Sequence, residues 1–227
     1  MKIRPRHLLK TAFRNACTLL VILWCASTAQ VMVFRFINPP FTPLMLYRLA
    51  HREGMDYRWK SLSQLSPFIQ QAVLASEDQR FMVHNGFDLK QINEALQEHT
   101  GKKRLRGAST ISMQVARNLF LWQGHSWMRK MLEAYYTVLI ELLWSKKRIL
   151  EMYLNIAEWG KGTFGAEAAS VHYFSCHASA LNRDQAALMA AVLPNPRKWS
   201  PTHPTRYILK RKAFILTHMD QFKPLRN

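Results

Sequence analysis

The residues of this chain best suited to chemistry are two glutamates that lie among cations. Glu77 follows Ile69 and Val73 at intervals of four on a predicted helix, so it continues an apolar stripe that faces the core. Partial burial at such a position raises the pKa of a carboxyl group toward the range of a proton acceptor near neutral pH. Glu133 lies four residues after Arg129, on the same face of another predicted helix.

Both glutamates also have a structural interpretation. The first helix could end by Glu77, with Glu77 and Asp78 binding nearby backbone groups or Arg80. Arg129 and Glu133 could form a surface ion pair, which stabilises a helix by about 0.2–0.5 kcal/mol. Taken alone, these two spacings do not decide between chemistry and structure.

The surroundings of the two glutamates favour a phosphorylated substrate. Lys130 adjoins Arg129, and Arg117 lies three residues after Gln114 on the preceding predicted helix, so several cations and donors are expected to converge. A guanidinium group can bind two phosphate oxygens at once. Residues 107–110, before that helix, offer backbone amides and hydroxyls to an anion. This set of groups suits transfer chemistry on a phosphorylated sugar.

Other polar and aromatic residues near these segments have simpler interpretations. His84 is interpreted as a hydrogen-bonded structural histidine rather than a base. Phe120, Leu121, Trp122 and Trp127 flank a short loop and belong either to the core or to a wedge that enters a bilayer. No cluster of histidines and cysteines has the spacing of a metal site, so none is predicted.

Length and charge narrow the classes of partner. The chain has 227 residues and a formal net charge of +18, and this length predicts one folded domain with an appendage. The positive charge favours nucleic acid, anionic lipid or a phosphorylated substrate. The basic residues lack zinc-finger spacing and RNA-binding aromatic motifs, so we expect no nucleic-acid partner.

Residues 16–34 form an apolar run that predicts one membrane-spanning helix. Nineteen residues at a rise of about 1.5 Å each roughly match a hydrocarbon core of about 30 Å. The run is preceded by the basic residues Lys2, Arg4, Arg6, Lys10 and Arg14. Basic residues remain in the cytoplasm, so everything after the run is expected outside. A signal cleaved near residues 27–29 is the alternative, but residues 31–36 continue the apolar run and favour an uncleaved anchor.

The remaining sequence predicts a mainly α-helical domain. The prolines of residues 38–43 predict a stalk over residues 35–55, and residues 1–15 form a basic cytoplasmic tail. Helical periodicity predominates over residues 56–222, with no segment alternating as a β-strand does. Helix starts are predicted at the capping residues Ser66, Asp88, Ser109 or Thr110, Ser126 and Asn182.

The whole pattern resembles the monofunctional biosynthetic peptidoglycan transglycosylases, which correspond to the glycosyltransferase module of bifunctional penicillin-binding proteins. The resemblance covers roughly residues 56–222 and rests on motifs in a fixed order: Glu77-Asp78-x-x-Phe81-x-x-His84-x-Gly86, Gly107-x-Ser109-Thr110-x-x-x-Gln114, Arg129-Lys130-x-x-Glu133, Arg148-Ile149-Leu150-Glu151-x-Tyr153-Leu154-Asn155, and Ala186-Ala187-Leu188-x-Ala190-Ala191-x-Leu193-Pro194-x-Pro196.

The resemblance implies a fold and a reaction. The fold is a lysozyme-like α-helical domain in two lobes, one of which dips into the membrane, and the reaction is polymerisation of lipid II into glycan strands. Glu77 matches the general base, which takes the proton of the acceptor sugar's 4-hydroxyl as that oxygen attacks C1 of the lipid-linked donor with inversion. Arg117, Arg129 and Lys130 would stabilise the leaving diphosphate. Glu133 would orient these cations or help to coordinate a divalent cation.

The resemblance also implies contacts, partners and a location. No cofactor is obligatory, although Mg²⁺ or Mn²⁺ could take part. Substrate contacts are expected at Asp78, Phe81, His84, Ser109, Thr110, Gln114, Arg117, His125, Arg129 and Lys130. Membrane contacts are expected at Phe120, Leu121 and Trp122. The expected partners are lipid II, the growing glycan strand, the bilayer and other cell-wall synthesis and division proteins. The expected location is the inner membrane, in a single pass, with the catalytic domain in the periplasm.

Three residues depart from the usual pattern of this family, and two other functions remain open. Met113 stands where glutamine is usual, Arg117 where lysine is usual, and His125 where arginine is common. Arg117 keeps the charge, whereas Met113 removes an amide and His125 weakens a positive charge. The alternative functions are a lysozyme-like enzyme that cleaves glycans and a membrane-anchored scaffold that binds cell-wall enzymes without turnover.

Overall fold

The computed structural model describes residues 5–91, 93, 109–124 and 126–225. The chain divides into two compact units, Met1–Asn38 and Pro39–Asn227. The expected substrate contact His125 lies outside the described residues, as do Gly107 and Ala108.

The first unit is built on one long helix, α1, over Pro5–Phe36. Its segment Lys10–Phe36 is 27 residues long and apolar enough to cross a membrane, judged by length and composition. The helix therefore begins before residue 16 and ends after residue 34, because basic residues near its start are compatible with helix although they are not apolar. The prediction of an N-terminal apolar helix is confirmed.

The second unit is mainly α-helical, as predicted. Its helices in the described part of the chain are α2 (Pro43–Ala50), α3 (Pro67–Glu77), α4 (Ile111–Phe120), α5 (Trp127–Leu143), α6 (Lys146–Ile156), α7 (Ala166–Phe174), α8 (Arg183–Val192) and α9 (Arg206–His218). Helical residues also begin at Leu89. Single turns of 3-10 helix lie at Leu62–Gln64, Ala178–Ala180 and Met219–Gln221. The lysozyme-like arrangement in two lobes stays a prediction.

Capping side chains fix where these helices start. The hydroxyl of Ser66 accepts from the amide of Phe68 at the start of α3, and the hydroxyl of Thr110 accepts from the amide of Met113 at the start of α4. Ser126 and Asn182 cap α5 and α8 in the same way. These starts were predicted from the sequence. At its other end, α3 stops at Glu77, with Asp78 as the C-terminal cap.

A small sheet was not predicted. Strands β1 (Asp56–Tyr57), β2 (Glu158–Gly160) and β3 (Thr163–Phe164) have the order β1-β3-β2, with β1 parallel and β2 antiparallel to β3. Strands of two or three residues are too short to show alternation. Gly162, in the β2–β3 turn, has φ +68°, and a Cβ there would lie 2.3 Å from the carbonyl oxygen of Glu53, so only glycine fits.

Part of the predicted stalk is folded. Helix α2 lies within residues 35–55, with Thr42 as its cap, Pro43 in its first turn, and Leu44 and Met45 buried. It packs against α4. Proline ends a helix that precedes it but suits the first turn of one that follows, which is why the same residues separate α1 from α2. The compact unit therefore begins at Pro39 rather than at residue 56.

The second unit contains two groups of packed helices. Helix α3 packs with α8 and α9, and α4 packs with α5 and α6. Helix α6 is buried along most of its length, with Ile149, Leu150 and Tyr153 in the core. Glu77 at the end of α3 bonds to Gln114 of α4, so these two residues link the groups.

Candidate active site

The carboxylate of Glu77 is held on both of its oxygens. Its side chain is 13% exposed. The hydroxyl of Ser76 donates to Oε1 at 2.9 Å, and the amide of Gln114 donates to Oε2 at 3.3 Å. The guanidinium of Arg211 lies 3.7 Å from Oε1. Glu77 is thus a fixed and largely buried carboxylate rather than a mobile surface group.

Burial raises the pKa of Glu77 above its ordinary value. The hydrogen bonds from Ser76 and Gln114 and the charge of Arg211 lower the pKa, and the neighbouring charge of Asp78 raises it, but burial has the largest effect. The direction agrees with the prediction from the apolar stripe. A carboxylate with a raised pKa is a better proton acceptor near neutral pH.

Tyr153 of α6 fixes the orientation of the Gln114 amide. Its hydroxyl donates to Oε1 of Gln114 at 3.3 Å, which leaves the NH₂ group of that amide directed at Glu77. Burial raises the pKa of Tyr153 well above its usual range, and the nearby charge of Glu77 raises it further. The hydroxyl therefore stays protonated and acts as a donor. The sequence motif contained Tyr153, but no role was predicted for it.

Three expected substrate contacts lie in the interior instead. Phe81 is fully buried, and Asp78 and His84 are buried. Nδ1 of His84 accepts from the amide of Gly86 at 3.1 Å, so Nε2 carries the proton and donates to Asp78 at 2.9 Å. Asp78 also accepts from the amide of Ile111, at the start of α4. These contacts position the turn after Glu77 against α4, and they support the structural interpretation of His84.

The structural alternative for the first glutamate is partly correct. Helix α3 does end at Glu77, and Asp78 does bind a backbone amide. Arg80 pairs with Asp88 at 2.7 Å rather than with either acid. The carboxylate of Glu77 therefore has no ion pair with Arg80, the cation of the turn that follows it.

The hydroxyls expected to bind substrate are differently placed. Thr110 is buried, caps α4 and donates to the carbonyl of Gly86 at 2.6 Å, so its hydroxyl is occupied by protein groups. Ser109 is half-buried beside it. Met113, one of the departures from the family pattern, is half-buried on α4. The substrate contact expected at Ser109 stays a prediction.

A cavity of about 280 Å³ adjoins this site and is rich in cations. Gln114 and Tyr153 line it, together with the guanidinium-bearing residues Arg48, Arg117 and Arg129. Arg48 forms an ion pair with Glu158 at 2.8 Å. Arg117 is half-buried and makes no hydrogen bond or ion pair with a side chain in the described part of the chain, so its charge is available to an anion.

Arg129 and Glu133 form a buried ion pair, so the surface interpretation of this pair is wrong. Nη1 of Arg129 lies 2.8 Å from Oε2 of Glu133, with the two side chains 11% and 5% exposed. Nε of Arg129 is buried and has no hydrogen-bond partner among the described residues. An unpaired buried donor that lines a cavity is suited to an acceptor on a ligand. Glu133 holds Arg129 in this position.

The donor set does not fit a metal ion. Within residues 5–91, 93, 109–124 and 126–225, no three side chains among histidine, cysteine, aspartate and glutamate are grouped as metal ligands. Glu133 is already bonded to Arg129. The described side chains around Glu133 therefore do not form a ligand set for Mg²⁺ or Mn²⁺.

The residues expected to contact the membrane, and Lys130, differ in how exposed they are. Leu121 is 2% exposed, so it lies in the core and cannot contact a membrane directly. Phe120 stacks on Tyr136, with ring centroids 4.4 Å apart. Trp122 is half-exposed and lines the cavity. Lys130 is exposed, with its ammonium 5.3 Å from the centre of the Trp127 ring, and it does not line the cavity.

Trp127, which the sequence placed either in the core or in a membrane wedge, is exposed and begins an apolar face of α5 whose other members were not predicted. We call it the α5 apolar face, and its exposed members are Trp127, Met128, Met131, Val138 and Leu142. From Met128 onward they recur at intervals of three, seven and four, which is the spacing of one helix face. The opposite face of α5, with Leu139 and Ile140, is buried. Because apolar residues recur on both faces of α5, the sequence pattern does not indicate which face packs against the core.

Comparison with known proteins assigns the family. A family model described as Transglycosylase matches residues 45–220. The biosynthetic peptidoglycan transglycosylase of Ectopseudomonas mendocina (strain ymp) is 48% identical over 220 residues, which cover 94% of this chain and 91% of that protein. The protein of the same name from Pseudomonas fluorescens (strain SBW25) is 49% identical over 209 residues, covering 88% and 87%. The one from Caulobacter vibrioides is 44% identical over 197 residues, covering 87% and 86%. The chain therefore belongs to the transglycosylase family.

Proposed function

We propose that this protein is a peptidoglycan glycosyltransferase that polymerises lipid II into glycan strands. The observation that carries this proposal is the buried carboxylate of Glu77 beside a cavity lined by guanidinium groups. The first group suits removal of a proton and the second suits an anionic leaving group. Both are needed to transfer a sugar from a lipid diphosphate to a hydroxyl.

The reaction uses Glu77 as the general base. Glu77 takes the proton of the acceptor's 4-hydroxyl, and the oxygen forms a bond to C1 of the donor sugar. The bond from C1 to the diphosphate oxygen breaks, and its electron pair leaves with the lipid diphosphate. Attack from the face opposite the leaving group inverts C1. Burial raises the pKa of Glu77, which favours this proton transfer.

The cavity cations act on the leaving group. Negative charge grows on the diphosphate as the bond to C1 breaks, so fixed cations there stabilise the transition state more than the ground state. Among the described residues, Arg117 has no side-chain partner for its guanidinium and Nε of Arg129 has no hydrogen-bond partner, so both can act on the leaving group. Glu133 is a positioning residue that holds Arg129.

This arrangement favours transfer over glycan cleavage. Most glycosidases flank the scissile bond with two carboxylates, one of which protonates the leaving oxygen. Glu158 is the one carboxylate among the described residues that line this cavity, and it pairs with Arg48. Glu133, which holds the lining residue Arg129, is likewise paired. A diphosphate leaves as an anion and needs cations rather than an acid.

The direct test is lipid II polymerisation by the purified full-length protein. We expect glycan strands to form from lipid II, and separation of products by length would detect them. Strands that become shorter when supplied as substrate would identify a glycan-cleaving enzyme. A protein that binds cell-wall enzymes but changes neither substrate would be the scaffold.

We propose that the protein resides in the inner membrane, crosses it once and carries its catalytic unit in the periplasm. The apolar segment Lys10–Phe36 and the basic residues before it support this topology. A reporter enzyme that works only in the periplasm, fused after residue 227, is expected to be active. A fused cytoplasmic reporter that is active instead would contradict both the topology and a role in cell-wall synthesis.

We propose that the α5 apolar face contacts the outer surface of the same membrane. Met131 and Leu142 are 66% and 74% exposed, and such large apolar groups on one helix face suit the interface of a bilayer. Lipid II offers its sugar at that surface. Lys130 next to this face suits anionic headgroups. Contacts with other cell-wall synthesis and division proteins stay a prediction.

The chain without residues 1–34 tests this contact. Its second unit has its own core, so we expect it to fold, to bind vesicles containing anionic lipid, and to polymerise lipid II more slowly than the full chain. Met131→Asp with Leu142→Asp should lower vesicle binding at least tenfold. Phe214→Asp, which changes an exposed apolar residue of α9, is the matched control. Equal binding by all three proteins would exclude the α5 apolar face.

A further inference from the structure

Arg211 lies on the buried face of α9 and reaches the carboxylate of Glu77. Ile208 and Ile215, three residues before and four after it, are both buried, so Arg211 continues their stripe. Its side chain is 26% exposed. Lys210, its neighbour, is exposed. A cation on an apolar stripe is as unusual as the carboxylate of Glu77 on the apolar stripe of α3. The guanidinium of Arg211 and the carboxylate of Glu77 lie next to each other.

The guanidinium of Arg211 is held by three groups. Nε donates to the carbonyl of Ala191 at 3.0 Å, and Nη2 donates to the hydroxyl oxygen of Ser76 at 2.9 Å. Nη2 also lies 3.7 Å from Oε1 of Glu77. The hydroxyl of Ser76 lies 2.9 Å from that same oxygen and donates to it. Arg211, Ser76 and Glu77 therefore form a continuous chain of polar contacts.

We propose that Arg211 is a positioning residue for the transfer reaction, which holds Oε1 of Glu77 through Ser76 while Gln114 holds Oε2. The two supports come from different helices, α9 on one side and α4 on the other. With both oxygens held, the carboxylate cannot rotate away from the cavity beside Gln114. This inference rests on the proposed role of Glu77 as the base.

The charge of Arg211 also favours the ionised form of Glu77. The charged and titratable groups near Glu77 in the described part of the chain are Asp78, Tyr153 and Arg211, with Arg117 beside Tyr153. Burial raises the pKa of Glu77, and Arg211, which cannot lose its proton, is the cation that lowers it. A base must be both ionised and basic. Arg211, together with the larger effect of the hydrogen bond from Ser76, offsets part of the effect of burial on the pKa of Glu77.

The neighbouring Lys212 offers a matched control. It pairs with Asp184, an exposed residue of α8, and it is not among the charged groups that shift the pKa of Glu77. Lys212→Met removes the same charge from the same helix as Arg211→Met does. Arg211→Lys keeps the charge but loses the planar group that bonds to both Ala191 and Ser76.

The test is to measure the pKa of Glu77 directly, by ¹³C NMR of glutamate carboxyl groups in the full-length protein in micelles. Glu77→Gln assigns the signal. We expect Arg211→Met to raise the pKa of Glu77 by about 1–3 pH units, Arg211→Lys to raise it less, and Lys212→Met to leave it unchanged. The acidic limb of the polymerisation rate should move to higher pH by the same amount.

The two proposals fail in different ways. An unchanged pKa of Glu77 in Arg211→Met overturns the positioning role, whether or not the protein polymerises lipid II. A raised pKa in a protein without polymerase activity supports the contact but contradicts the proposed function. If Arg211→Met does not fold, as judged by circular dichroism, Ser76→Ala replaces it. That variant removes the link and should also raise the pKa of Glu77, and an unchanged pKa there would equally overturn the inference.

Discussion

Replacing Glu77 by glutamine is expected to abolish lipid II polymerisation while the protein stays folded. Glutamine keeps the shape of the side chain and can still bond to Ser76 and Gln114, but it cannot accept a proton. Loss of a positioned general base lowers a rate by about 10²–10⁴-fold. The measurement is the initial rate of glycan formation at saturating lipid II, with thermal unfolding followed in parallel.

The control for this variant is Asp220→Asn. It neutralises one carboxylate in the same way, but Asp220 is an exposed partner of Arg183, far along the chain from Glu77. We expect the control to keep the wild-type rate. A Glu77→Gln protein that retained half of that rate would lose its assignment as the base, and the raised pKa would then have a structural cause only.

Much of the site could be predicted because its residues follow local rules. Glu77 on an apolar stripe was predicted to be partly buried, and Ser66 was predicted to start its helix. Both statements need only the helical period and the chemistry of a cap. Gln114 and Arg117 likewise share one short helix, so their proximity follows from their spacing.

The rest of the site depends on contacts between distant segments. Arg211 and Ser76 are 135 residues apart, so no local pattern brings them together. The spacing of Arg129 and Glu133 is the same in a surface pair and in a buried pair, and only packing decides between them. Asp78 and His84 have residue types that suit a substrate, but here they bond to each other and to α4. A short strand such as β1 has too few residues for any periodicity.

The second large effect is expected at Arg117. Arg117→Met should lower the turnover rate by about 10²–10³-fold, which is the usual cost of removing one preorganised group that stabilises transition-state charge. Arg117 lines the cavity and has no protein side-chain partner in the described ranges, so its loss leaves no buried charge unpaired. The cost should therefore fall on catalysis and not on folding. Charge on the diphosphate grows during the reaction, so turnover should fall more than the affinity for lipid II.

Two further variants separate charge from shape at this position. Arg117→Lys keeps the positive charge, and lysine is usual here in the family that the chain resembles, so we expect it to retain most of the activity. Lys161→Met removes one charge from an exposed residue of the β2–β3 turn and controls for the net charge of the protein. Rates and lipid II affinities of all four proteins decide the question. Turnover of Arg117→Met within twofold of both the wild type and Lys161→Met would contradict this role. Another group would then have to stabilise the leaving diphosphate. Arg129, whose Nε has no hydrogen-bond partner among the described residues, would be the candidate.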